Sequence, residues 1–469
     1  MLSREPIGGA TAAPEVMNDP ERSYTRKRQG TSQLEPEVII PANAGNPARQ
    51  FSPVEVMSSS ENSSNNAWNW NNSNWNNNNK NNNNSVFFVR DSGMRSKDPE
   101  VTLDDIYMAY EECARRKRNT KEAKEFERDA LFNCQQLMDE MNSRTYKLQP
   151  SKCFVVSYPR KREVFCASFR DRVVQHFIYR ELNPVIDKLL IQDTCSCRKG
   201  KGTDYAIDRA KRKLRQETEN YSKSVWVMKI DLSNFFMSLD REWLYGRIMN
   251  VIRRHYKGPY PETLRYLVGI IILTDVTKDT IRLMSPKKWD SLPKGKSLFG
   301  SRTGLPIGNI TSQLFANYAL NDIDHFIKSR HKSYVRYVDD MVLINRSKKK
   351  LLETKRLVGM KLNSIGLRVN NRKSYVQKSD FGISFLGVTV KPYYAVLGKQ
   401  RISRVYRMGK ELKTPEDAYR SISSRKGMFT RYKGWRLAHR WMESLPQEVT
   451  NRLTMTNDCR VIQKNIWTG

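Results

Sequence analysis

The stretch "SYVRYVDDMVLIN", Ser333–Asn345, sets two carboxylates between two apolar runs. Its pattern predicts two strands joined by a tight turn, with Asp339 and Asp340 at the tip. An isolated Asp pair ordinarily marks a surface turn. Here the flanks are apolar, and a carboxylate in such a setting must be paired, protonated or bound to a cation, because burying a lone charge is very costly. About a hundred residues earlier, "SVWVMKIDLSNFF" (224–236) has the same form, a buried strand that ends on Asp231. A hairpin tip beside that strand end brings Asp231 and Asp339 together. Carboxylates so placed repel unless cations lie between them. Hard oxygen ligands suit Mg2+, which keeps positions open for phosphate oxygens and water. Two such ions stabilise both the attacking and the leaving oxygen of an in-line phosphoryl displacement.

The surrounding sequence supplies the scaffold. Helical spacing runs from Thr102, a candidate N-cap, to about Asn142. "CFVVSYP" (153–159) and "REVFCAS" (162–168) read as strands joined by the basic turn Pro159-Arg160-Lys161, and "DRVVQHFIYRELNPVIDKLL" (171–190) as a helix broken at Pro184. "ISFLGVTVKPYYAVL" (383–397) reads as a second hairpin. From Arg401 onward the chain reads as basic helices, "MFTRYKGWRLAHRWMESL" (428–445) being the clearest. Acid-bearing strands alternating with helices that cover one face predict an α+β fold. Residues 1–95, rich in Pro, Ser, Asn and Gly and without sustained periodicity, are expected to be disordered.

Lys and Arg number 82 against 49 Asp and Glu, a formal charge of +33. Such a surplus points to a polyanionic partner, most commonly a phosphate backbone. The seven cysteines lack zinc-finger spacing and are expected to be reduced thiols of a cytoplasmic protein. The longest apolar run, "YLVGIIIL" (266–273), is too short to span a bilayer, so no membrane role is expected.

These motifs resemble those of reverse transcriptases. "MKIDLSNFF" is similar to the first palm motif of that family, "GLPIGNITSQLFANYALNDID" (304–324) to the second, and "YVDD" to its tyrosine-x-Asp-Asp signature. "IGLRVNNRKS" resembles the fourth motif, and Phe385, Leu386 and Gly387 the primer-grip hairpin. "REVFCASFRDRVVQ" and "CRKGKGTDYAI" resemble finger motifs of bacterial and group II intron-like enzymes. All stand in family order between about residues 102 and 440. The resemblance implies a right-hand polymerase with fingers (96–220), palm (221–395) and helical thumb (396–469). "IGNITSQ", with Ile307 where retroviral enzymes usually have glutamine, is similar to the reverse transcriptases of diversity-generating retroelements, which miscopy template adenines.

The same resemblance implies roles for particular residues. Asp231 and Asp339 would hold two Mg2+ ions, with Asp340 a weaker ligand and the Leu232 carbonyl completing one sphere. Phe236 falls at the steric-gate position, where its ring would exclude a ribose 2′-hydroxyl. Arg162, assisted by Lys161, would contact the triphosphate of the incoming dNTP, a task suited to a permanently charged fork. Lys373 would protonate departing pyrophosphate. Gln313, on a helix capped by Asn309 or Thr311, would face the template or nascent pair. Ile307 cannot donate the hydrogen bond of an amide, a loss of about 1 kcal/mol in discrimination. Implied partners are an RNA template, its duplex with cDNA, dNTPs and a small basic accessory variability protein. A retron or antiphage-defence reverse transcriptase, or a non-catalytic maturase-like scaffold, would share the fold.

One tract remains. Fifteen of the residues from Asn62 to Asn84 are asparagine, encoded by AAC or AAT. Template repeats of diversity-generating retroelements carry such codons where variation is introduced. "WNNNNKNNNNSVFFVR" (75–90) resembles the translated end of one, although a polar linker would have a similar composition.

Overall fold

The computed structural model describes residues 98–464, apart from 116, 158–160, 294, 452, 457–458 and 460–461. The expected disorder of residues 1–95, the asparagine tract and most of the Pro159-Arg160-Lys161 turn lie outside the described residues. The strands are β1 (Lys152–Val156), β2 (Arg162–Cys166), β3 (Trp226–Ile230), β4 (Ile281–Arg282), β5 (Tyr334–Tyr337), β6 (Asp340–Asn345), β7 (Tyr375–Lys378), β8 (Ile383–Phe385), β9 (Val388–Val390), β10 (Ala395–Leu397), β11 (Leu453–Met455) and β12 (Ile462–Lys464).

The central sheet is antiparallel, in the order β5-β6-β3-β7. Successive side chains of a strand face opposite ways, and both faces here are apolar. Met228, Ile230, Met341 and Leu343 enter a large core built with the helices Leu103–Ala114, Phe169–Leu189, Arg241–His255, Pro261–Leu273 and Ile310–Ala319. Val227, Val342 and Ile344 enter a second core with the helix Thr203–Glu217, the sheet β10-β9-β8 and the C-terminal helices. A third sheet, β2-β1-β4, pairs β1 and β2 antiparallel. The α+β class predicted from the sequence is therefore borne out. Among the described residues no helix is long and apolar enough to cross a membrane.

Three local expectations need correction. The helix Phe169–Leu189 runs through Pro184. Leu182 and Ile186, on either side of it, are both fully buried, and that continuous packing outweighs the N–H bond that proline forfeits. The stretch 428–445 belongs to two helices, Lys426–Arg431 and Trp435–Glu443. Between them Lys433 has φ 50°, and a Cβ on Gly434 would stand 3.1 Å from the Phe429 Cα, so the chain turns sharply there. The last described residues add the small β11-β12 pair rather than more helix.

Candidate active site

β5 and β6 are joined by a two-residue turn, Val338-Asp339, with Tyr337 paired to Asp340. Val338 has φ 56°, in the left-handed region that a β-branched residue rarely enters. β3 lies beside β6 and delivers Asp231 one residue beyond its end. The structure thus brings the hairpin tip and the first strand end together, as the sequence predicts. Asp339 is raised to about 6, first by burial and then by the carboxylates of Asp340 and Asp231.

Two lysines attend these acids. Lys229 Nζ lies 3.0 Å from Asp340 Oδ1, and Lys373 Nζ 3.5 Å from Asp231 Oδ2. The sequence reading anticipated Lys373 but missed Lys229. The contact follows from the register of the folded sheet, which neither strand shows alone: Lys229 stands opposite Val342, one diagonal step from Asp340, a distance long side chains cover. Among the described residues, no three His, Cys, Asp or Glu side chains form a ready ligand set. The acids nevertheless fit a divalent cation. Asp231 Oδ2 is buried and accepts no hydrogen bond, and Asp339 is held up by burial and by its acidic neighbours; a cation would relieve both.

Beyond Asp231 the chain is tied to the segment after the helix Lys348–Asn363. The Asn370 N–H donates to Asp231 O at 2.7 Å and the Ser233 N–H to Arg368 O at 2.8 Å. Neither bond uses the Leu232 carbonyl, which lies between them. Phe236 sits on the short helix Phe235–Ser238, half-buried, while Phe235 is buried in the core. Its carbonyl accepts the Leu305 N–H at 2.8 Å, and Ile307 O accepts the Phe165 N–H of β2 at 2.8 Å.

The "GLPIG" strap is thereby laid between two walls, which explains both of its glycines. A Cβ on Gly304 would come within 3.0 Å of the Met237 backbone, and one on Gly308 within 2.2 Å of the Phe165 carbonyl oxygen. Ile307 packs, half-buried, against the small cluster of Cys153, Phe165, Met237 and Leu298. Asn309 occupies the N-cap position of Ile310–Ala319, but its side chain makes no cap bond. Thr311 lies inside the helix, and its buried hydroxyl is without a partner. The expected side-chain cap is therefore absent. Gln313 is half-buried, and Cys197 Sγ approaches its Oε1 at 3.4 Å.

Arg162 opens β2, and its buried Nε has no hydrogen-bond partner, an unsatisfied donor of the kind an anion would fill. Lys161 is exposed. On the second hairpin Phe385 is fully buried, so its ring serves the core. Only Leu386 and Gly387, with φ 50° and 77°, form the tip, the geometry of a two-residue type I′ turn.

Three carboxylates thus gather at the ends of antiparallel strands, and two of them, Asp231 and Asp340, have an ammonium beside them; the α+β frame is that of a right-hand polymerase. Residues 158–390 match the family described as reverse transcriptase (RNA-dependent DNA polymerase), so the chain carries a reverse transcriptase domain, a nucleotidyltransferase. It is 24% identical over 292 residues to Protein YkfC of Escherichia coli (strain K12), covering 54% of this chain and 69% of that protein. Among solved structures it is distantly similar to apo telomerase from Candida tropicalis (13% identity, 53% of this chain and 56% of that one, TM-score 0.38). Telomerase from Candida albicans in complex with a telomeric RNA fragment is similarly distant (12% identity, 69% and 65%, TM-score 0.36). The chain thus spans less than two thirds of either telomerase chain.

Proposed function

We propose that this protein synthesises cDNA on an RNA template within a diversity-generating retroelement and miscopies template adenines. The observation that carries the polymerase reading is the meeting of Asp231, Asp339 and Asp340 at one end of the central sheet, with Lys373 against Asp231. In this reading residues 96–220 are the fingers, 221–395 the palm and 396–469 the thumb. Asp231 and Asp339, with Asp340 and the Leu232 carbonyl, would hold two Mg2+ ions, which supply Lewis-acid stabilisation of phosphoryl oxygens when bound. Arg162 and Lys161 bind the triphosphate, Lys373 delivers a proton to pyrophosphate, and Leu386 and Gly387 support the primer strand. The +33 charge suits an RNA template and its duplex with cDNA. A small basic accessory variability protein completes the proposed assembly.

Two features favour the retroelement over a retron or defence enzyme. One is "IGNITSQ", whose Ile307 offers no side-chain hydrogen bond beside the Phe236 segment. The other is the asparagine tract, which resembles a translated template repeat.

The sugar-selecting role of Phe236 gives a test. On an RNA template with a DNA primer, the full chain should extend with dNTPs and reject NTPs. Phe236→Ala should let ribonucleotides in, lowering discrimination by roughly 10-fold or more, as loss of one steric or apolar contact does in a selective pocket. A wild type that prefers NTPs, or a variant with unchanged selectivity, would remove Phe236 from this role.

A further inference from the structure

Behind the turn that carries Asp339 lies a buried polar cluster with no part in the chemistry described above. Arg336 and Asp324 are both fully buried. Arg336 Nε donates to Asp324 Oδ1 at 2.7 Å and Nη2 to Oδ2 at 2.6 Å. The remaining N–H groups reach Asn317 Oδ1 at 3.0 Å, Asn317 O at 2.9 Å and Val338 O at 2.9 Å. Asp324 also accepts from the hydroxyls of Tyr334 and Thr194, each at 2.7 Å. A buried ion pair persists only when its hydrogen-bonding capacity is met, and here every guanidinium N–H has an acceptor.

The cluster converges on one residue. Val338 immediately precedes Asp339 and is held at φ 56°, a conformation maintained only where the surroundings over-determine it. Both of its backbone polar groups are gripped. Its N–H donates to Ser196 Oγ at 3.0 Å and its carbonyl accepts from Arg336. Ser196 is wired to the same arginine through Asn317, whose Nδ2 donates to Ser196 O at 3.0 Å. The Val338 carbonyl and the Asp339 N–H share one planar peptide group. Fixing that carbonyl therefore fixes the plane from which the Asp339 side chain departs.

We propose that Arg336, Asn317 and Ser196 form a backbone clamp that holds Val338 in its left-handed conformation and so positions the Asp339 carboxylate. The inference rests on Asp339 being a working carboxylate of the polymerase. All three are positioning residues, acting through the turn alone.

The test compares full-length variants extending a DNA primer on RNA. Ser196→Ala removes the acceptor for the Val338 N–H and leaves the Arg336–Asp324 pair intact. It should lower kcat by roughly 10- to 100-fold, the scale of a misplacement of about 1 Å or less, with the KM for dNTP and the thermal midpoint close to wild type. Adding Val338→Gly should restore most of the lost kcat, because glycine enters positive φ without strain; a serine needed only for folding would show no such rescue. An unchanged kcat in Ser196→Ala, or a double variant no better than the single one, overturns the clamp alone. A wild type that extends no primer and matches Asp339→Asn overturns the polymerase reading, and the clamp with it.

Discussion

Asp339→Asn is expected to abolish cDNA synthesis while leaving the cation-free protein at least as stable as wild type. The substitution keeps the size of the side chain but removes a charge from the set that would hold the divalent cations. Such stabilisation is worth several kcal/mol, so the rate should fall by roughly 10³-fold or more. The stability effect has the opposite sign. The Asp339 carboxyl is raised to about 6 by burial and by Asp340 and Asp231. A carboxyl raised on folding contributes stability that is complete below its ordinary range and is lost as the pH rises through about 6. At pH 7.5 the wild type therefore carries the penalty of the buried charge, at most about 3 kcal/mol, and asparagine does not. Melting in chelator should show a midpoint equal to or above wild type, the difference narrowing as pH is lowered towards 4. A variant that retains activity, or one that loses it by unfolding, would contradict this assignment.

Lys373→Ala should produce the next largest loss. Its ammonium stands 3.5 Å from Asp231 and is about half exposed, 46%, which leaves it open to both substrate and solvent. General acid catalysis typically contributes 10²- to 10⁴-fold, so kcat should fall by about 10²-fold with little change in KM, the signature of an interaction made in the transition state. Lys373→Arg separates two roles. Arginine keeps the positive charge but does not give up its proton. Failure of arginine to restore kcat supports proton delivery, whereas restoration would reduce Lys373 to an electrostatic partner of Asp231.

The sequence carried much of this arrangement because the relevant signals are local. Alternation around Tyr337-Val338-Asp339-Asp340 specified a hairpin, and an apolar strand ending in Asp231 specified its neighbour. The α+β class followed from those strands and the helices between them. What remained hidden depends on pairing between distant segments. The Lys229–Asp340 contact follows from the β3-β6 register, which no single strand reveals. Arg336 reads in sequence as an ordinary polar position of an alternating strand, yet it is buried against Asp324 and Asn317 of other elements. Pro184 predicts a break because its local chemistry opposes helix, while tertiary burial of Leu182 and Ile186 decides otherwise. Phe385 sits in a stretch that resembles a primer-grip motif, but its alternation places the ring in the core and leaves the tip to Leu386 and Gly387.

An RNA-directed polymerase that errs at adenine writes those errors into its product, so the sequence of the cDNA decides whether this protein is one. The purified full chain, with Mg2+ and dNTPs, would copy an adenine-rich RNA from a DNA primer, and the cDNA would be sequenced. The reading predicts full-length cDNA with substitutions concentrated opposite template adenines. Faithful cDNA would contradict the retroelement assignment while leaving the polymerase in place, and absence of cDNA even with the native RNA and an accessory protein would contradict the polymerase itself.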